Sequence, residues 1–207
     1  MGSIVSRAKL TTTSYALLGL LAVKPWSSYE LAQQMQRSLR RFWPRAESKL
    51  YEEPKKLGAC GLVTGAEEQV GQRRRTRYTI TPRGRQELSQ WLAEPAEGPV
   101  LEFEGMLKVF FAEHGTKHDL LATVAGIRTW AEQRAADDAR IARGYLDGAG
   151  PFPERTAQLV LVGRYSADFA DMTRRWAHWA AQVVEGWPEE VAHARPAWEA
   201  LEEIASR

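Results

Sequence analysis

The 207-residue chain has a single cysteine, Cys60, and its longest mostly apolar run is the short stretch from Tyr15 to Val23. One thiol forms no internal disulfide and supplies no zinc site alone. That excludes a disulfide-stapled secreted module and makes a reducing cytoplasm the expected compartment. The apolar run falls far short of the roughly 20 residues that cross a bilayer, so no transmembrane helix is expected. No basic segment followed by an apolar one opens the chain, so no signal peptide is expected. The chain also lacks a Walker-type phosphate loop, a nucleophile elbow and a recognisable carboxylate pair. His114 and His118 stand four residues apart with no third ligand nearby. Neither a metal nor a cofactor is therefore expected. Together these absences point away from an enzyme.

What is present is enough apolar sequence to bury a core, 44% against 26% charged. The charge is unevenly placed. Residues 1–95 hold 16 of the 28 Lys and Arg but 8 of the 26 Asp and Glu, a net +8 against −6 for the remainder. A basic half beside an acidic half suggests that the first faces a polyanion. The segment Glu94-Pro95-Ala96-Glu97-Gly98-Pro99 falls at the same point and reads as a linker. The expected domains are 1–95 and 96–207.

In the first half, Tyr15, Leu17, Leu18, Leu20 and Leu21 form a wide helical stripe that Lys24-Pro25-Trp26 ends. Ser27-Ser28-Tyr29-Glu30 is a capping box that opens a second helix carrying Leu31, Met35 and Leu39. A third helix is expected from about Glu47 to Ala59, with Leu50 and Leu57 inward and Gly58 or Gly61 as stop signals. Its outer side carries Ser48, Glu52 and Lys55, flanked by Lys49, Tyr51 and Lys56. That mixture suits an element entering a major groove, although taken alone it describes a solvated helix face better. Two extended runs, Leu62 to Val70 and Arg75 to Thr81, then frame a turn at Gly71-Gln72-Arg73-Arg74. Arg73, Arg74, Arg75 and Arg77 sit at the tip and on the return strand, where they suit phosphates or a narrow minor groove. Thr81-Pro82 opens a closing helix with Leu88, Trp91 and Leu92 inward. Three helices, a basic hairpin and a closing helix make a winged helix-turn-helix.

These residues also resemble the PadR family of transcriptional regulators. The stretch Leu50-Tyr51-Glu52-Glu53-Pro54-Lys55-Lys56-Leu57-Gly58-Ala59-Cys60-Gly61-Leu62-Val63 is similar to the family's third helix and following strand. So are the return strand, Arg75-Thr76-Arg77-Tyr78-Thr79-Ile80-Thr81-Pro82-Arg83-Gly84, and the opening Tyr15-Ala16-Leu17-Leu18-Gly19-Leu20-Leu21 with Ser28-Tyr29-Glu30-Leu31. The likeness covers about residues 10–95. Pro54 departs from it, standing where the motif usually has Leu. Proline removes the hydrogen bond to the carbonyl of Leu50 and disfavours helical angles at Glu53, so a kink or a shorter third helix is expected.

The second half carries almost no strand signal. Phe103, Met106, Leu107, Phe110 and Phe111 mark a short apolar helix, and Leu120, Val124, Ile127 and Ala131 a longer one reaching Ile141 and Tyr145. After a break at Gly148-Ala149-Gly150-Pro151-Phe152-Pro153 comes the most regular pattern in the chain. Val162, Tyr165, Phe169, Met172, Trp176, Trp179 and Val183 alternate by three and four, a heptad seam with aromatics in place of the usual Leu or Ile. A last helix is expected over Val191, Ala194, Trp198, Leu201 and Ala205. The seam reads either as packing inside a bundle or as a dimer interface. The resemblance implies the second, since longer PadR-like chains carry a helical dimerisation domain. Phe110, Phe111, Trp176 and Trp179 are the expected lining of an aromatic-effector pocket, if one exists.

The fold class expected is therefore mainly α: an N-terminal winged helix-turn-helix with a two-stranded β-wing, then an all-α C-terminal dimerisation domain. The expected function is that of a homodimeric transcriptional repressor bound to palindromic double-stranded DNA and released by a small aromatic effector. Ser48, Lys49, Tyr51, Glu52, Lys55 and Lys56 with Arg73, Arg74, Arg75 and Arg77 would form the DNA-binding surface. The alternatives are a winged-helix protein-interaction module and a ligand-sequestering helical protein.

Overall fold

The structure is a computed structural model that describes residues 10–40, 42–43, 47–70 and 73–207, with backbone alone at 47–49, 70 and 73. It divides between Pro99 and Val100 into two compact units.

The first unit opens with α1 (Thr12–Val23), capped by Thr11 in a reciprocal box with Ser14. A short strand β1 (Trp26–Ser27) leads into α2 (Ser28–Gln34), which Ser27 and Glu30 cap as a second reciprocal box and which ends in a π-turn over Met35–Leu39. Next comes α3 (Glu47–Ala59), then β2 (Val63–Val70), β3 (Arg73–Ile80) and α4 (Pro82–Leu92). The sheet has three antiparallel strands in the order β1-β3-β2. The sequence reading of a two-stranded wing thus omits β1, where Trp26 pairs with Tyr78 and Ser27 with Arg77. Two residues are too few to show the alternation that marks a strand. Pairing also runs further than expected, to Val70 opposite Arg73, so Arg73 and Arg74 belong to β3 rather than to the turn assigned from sequence.

Leu17, Leu18, Leu21, Leu31, Leu50 and Leu57 lie fully buried between the helices, and Tyr78 and Ile80 close the core from the sheet. Each such Leu is worth roughly 1.5–3 kcal/mol of burial. Helix α3 runs its full length through Pro54, which is itself buried on the stripe between Leu50 and Leu57. Its end is a Schellman motif: the N–H of Gly61 donates to Gly58 (2.9 Å) and that of Leu62 to Leu57 (3.0 Å), with Gly61 at φ +71°. Gly61, not Gly58, is therefore the stop.

In the second unit, α5 (Glu104–Phe110) precedes two 30-residue helices, α6 (Lys117–Leu146) and α7 (Thr156–Glu185), and a short α8 (Trp198–Ala205). Leu120, Val124 and Ile127 of α6 pack on Ala177, Ala180 and Val184 of α7, with Val191 closing that cluster. A polar cross-link fixes the register further along: Arg134 of α6 donates to the Ser166 hydroxyl (2.8 Å), which donates to Asp138 (2.7 Å). The last helix is shorter than expected. Val191–His193 forms only a 3-10 turn and Ala194 is extended, just ahead of Pro196, which disfavours helical angles at the residue before it.

Candidate nucleic-acid interface

Helix α3 turns Leu50, Pro54 and Leu57 inward, which leaves Glu52 and Lys55 exposed and Tyr51 and Lys56 half-buried. The side chains of Ser48 and Lys49 lie outside the described residues, as does that of Arg73. Lys55 pairs with Glu52 at 3.4 Å, an exposed contact that solvent screens and a phosphate or base edge displaces at little cost. Lys56 is held differently. Its partner Glu53 (3.4 Å) also accepts a hydrogen bond from the buried Ser14 hydroxyl at the start of α1. Glu53 thus ties α3 to α1, and Lys56 is anchored to that tie.

The four wing arginines divide by strand alternation. Arg74 is exposed and has no carboxylate partner among the described residues. Arg75 and Arg77 lie on the other face, where Glu68 Oε2 accepts from the Nε of both at 3.0 Å. Glu68 stands directly opposite Arg75 in the register and diagonal to Arg77. Glu30, at the third position of α2, approaches the same guanidiniums at 3.5 and 3.8 Å, and Arg77 Nη1 also donates to the Pro25 carbonyl (3.2 Å). The Glu68 carboxyl titrates below its ordinary range because it accepts hydrogen bonds from Arg77 and then Arg75. Glu30 is also lowered, first by the Ser27 backbone N–H (2.8 Å), then by the Ser27 hydroxyl and the two arginines, against the opposing cost of burial.

Glu30, Glu53 and Glu68 are the site residues that sequence reasoning missed. Placing the turn at residues 71–74 sets Glu68 opposite Arg77 and leaves Arg75 facing Val70. The face assignment survives that two-residue shift, but the ion pairs do not.

In the second unit, the sites named from sequence are spread out. Val162, Tyr165, Met172 and Trp179 are exposed, whereas Phe169, Trp176 and Val183 are half-buried. The buried stripe of α7 is the neighbouring one, Ala170, Thr173, Ala177, Ala180 and Val184. Phe110 and Phe111 meet edge to face at 4.9 Å between centroids, both largely exposed. A cleft of about 490 Å³ beside α5 and the start of α6 is lined by Leu107, Lys108, Phe111, His114, Thr116 and Leu120 among others. Of the four expected pocket residues, only Phe111 lines it.

Residues 17–90, the helix-turn-helix and wing, match the model of the transcriptional regulator PadR-like family. Over those residues the chain is similar to PadR-like regulators. Residues 104–185 match a second model, the C-terminal region of virulence activator alpha. A curated relative, the negative transcriptional regulator PadR of Bacillus subtilis, is 35% identical over 99 residues, which is 47% of this chain. That match spans only about half, 54%, of the relative's length. Crystal structures of Bacillus subtilis PadR share the fold. The complex with operator DNA has a TM-score of 0.74 at 23% identity, covering 84% of this chain and 99% of that one. The complex with p-coumaric acid has a TM-score of 0.68. The Vibrio cholerae virulence activator AphA is similar at a TM-score of 0.63 and 20% identity, covering 82% and 96% of the two chains. Among the described residues, Arg74 and the outer side of α3 are open to a polyanion.

Proposed function

We propose that this chain is a sequence-specific DNA-binding regulator of transcription that works as a homodimer by binding rather than catalysis. The observation that carries the reading is the placement of the PadR-like match: residues 17–90 take in α3, with its outward Glu52 and Lys55, and the wing, with its exposed Arg74. In this reading residues 1–95 bind DNA and residues 96–207 dimerise. Side chains of α3, from Ser48, Lys49, Tyr51, Glu52 and Lys55, read base edges and nearby phosphates in the major groove, while Arg73 and Arg74 grip the backbone from the wing. Two copies read two half-sites of a palindrome. Exposure of Tyr165, Met172 and Trp179 in a single protomer supports the aromatic seam of α7 as the partner-facing surface.

Repression follows if the dimer excludes polymerase from its site, and an aromatic effector held by the second half releases it by favouring a different spacing of the wings. A p-coumaric acid complex exists for a protein of this fold, which supports a small phenolic acid as the class to try. The match of residues 104–185 to a virulence-activator region favours a second reading, in which the same DNA binding recruits polymerase.

Footprinting on the DNA upstream of the chain's own gene tests the reading. Protection of two half-sites about one helical turn apart is the expected result. A chain that protects no segment overturns it.

A further inference from the structure

We propose that Glu68 sets the DNA affinity of the wing by occupying, inside the protein, the place that a phosphate would take on Arg75 and Arg77. The inference rests on the DNA-binding reading above and deepens it. The geometry is that of a shared acceptor: one carboxylate oxygen takes the Nε–H of both arginines at 3.0 Å, and Glu30 faces the same pair from α2. Two guanidiniums against two carboxylates make this cluster of four electrically neutral. All four side chains keep between 29% and 41% of their surface exposed, so the cluster lies within reach of a ligand rather than sealed in the core.

A phosphate competes for the N–H groups that Glu68 already holds, and charge-assisted bonds of that kind are the strong ones. It also meets the carboxylate's own negative charge. Affinity from phosphate contacts comes from counterions released by net positive groups, and a neutral cluster releases few. Arg74, exposed and without a carboxylate partner among the described residues, then carries the wing's charge toward DNA, and Arg75 and Arg77 are held in reserve. Since phosphate contacts carry no sequence information, this restraint falls mainly on non-specific binding. Glu68 thus favours discrimination at the expense of grip.

The test compares the native chain with E68Q and E68A on a duplex of shuffled sequence across a range of salt concentrations, alongside their thermal unfolding. Residue 68 sits on the sheet's edge strand with much of its side chain in solvent, so both variants are expected to fold. The expected result is binding about 3- to 10-fold tighter near 0.1 M salt, with a log–log salt slope steeper by roughly one to two per protomer. An unchanged or flatter slope in folded variants, while the native chain binds its own upstream DNA, overturns this inference and leaves the regulator reading standing. Variants that fail to fold assign Glu68 to wing stability and overturn it equally. A native chain that binds no duplex at all overturns the regulator reading, and this inference with it.

Discussion

Gly84, at the start of α4, lies so close to the carbonyl of Leu62 that a Cβ there would fall inside van der Waals contact of that oxygen and 2.8 Å from Ile80 Cγ1. The approach is held by Thr81, whose hydroxyl accepts from the Gly84 N–H (3.0 Å) and donates to the carbonyls of Gly61 and Leu62 (2.9 and 3.1 Å). Its N–H also donates to Leu62 (3.0 Å). One threonine therefore caps α4 and joins it to the end of α3. Gly84→Ala forces apart backbone that cannot yield as a side chain does. We expect a loss of about 2 kcal/mol or more, read as a lowered urea midpoint. An unchanged midpoint contradicts the close approach.

Pro54 is buried in mid-helix and offers no N–H to the carbonyl of Leu50. Pro54→Ala restores that bond and removes the ring's clash with the preceding turn, together worth about 3 kcal/mol in a regular interior. Against this stand about two buried methylene groups, roughly 1.6 kcal/mol. A net gain of about 1 kcal/mol is expected in chemical denaturation. A destabilised variant would mean that the ring's packing outweighs the missing bond.

The two stripes of α7 respond differently to charge. Ala177 is fully buried against α6, so Ala177→Asp places a carboxylate in an apolar core and should remove the second unit's share of the helical circular-dichroism signal. Tyr165 is 59% exposed. Tyr165→Asp should keep the helix signal and sediment as a monomer under conditions where the native chain is expected to sediment as a dimer. A Tyr165→Asp chain that remains dimeric places the interface elsewhere.

The lowered carboxyl of Glu30 has a pH consequence. Its folded form titrates below the ordinary value of 4.5, so its contribution to stability is complete above that value and is lost as the pH falls through the folded one. Unfolding midpoints between about pH 6 and 3 should fall more steeply for the native chain than for Glu30→Gln. Parallel curves would remove Glu30 from the acid limb.

Where periodicity and caps are strong, the sequence was legible. The box at Ser27–Glu30 and the Thr81 cap follow from residue types at fixed local spacing, and the stop of α3 is one of the two glycines that spacing offered. Long-range pairing was not legible. The two-residue strand at Trp26 carries no pattern, and the register that sets Glu68 on Arg75 rests on pairing that runs as far as Val70 opposite Arg73. The interior stripe of α7 was also hidden, because alanines pack helices closely without standing out among the aromatics one position away. Pro196 explains the shortened last helix, and its effect on the residue before it was available from the sequence.

The most direct measurement is a titration of the protein against the DNA upstream of its own gene and against a shuffled control of equal composition, at several salt concentrations. A sequence-specific regulator should prefer the native fragment by at least ~10³ and lose affinity steeply as salt rises. Equal and weak binding to both fragments, at every salt concentration, would contradict the account.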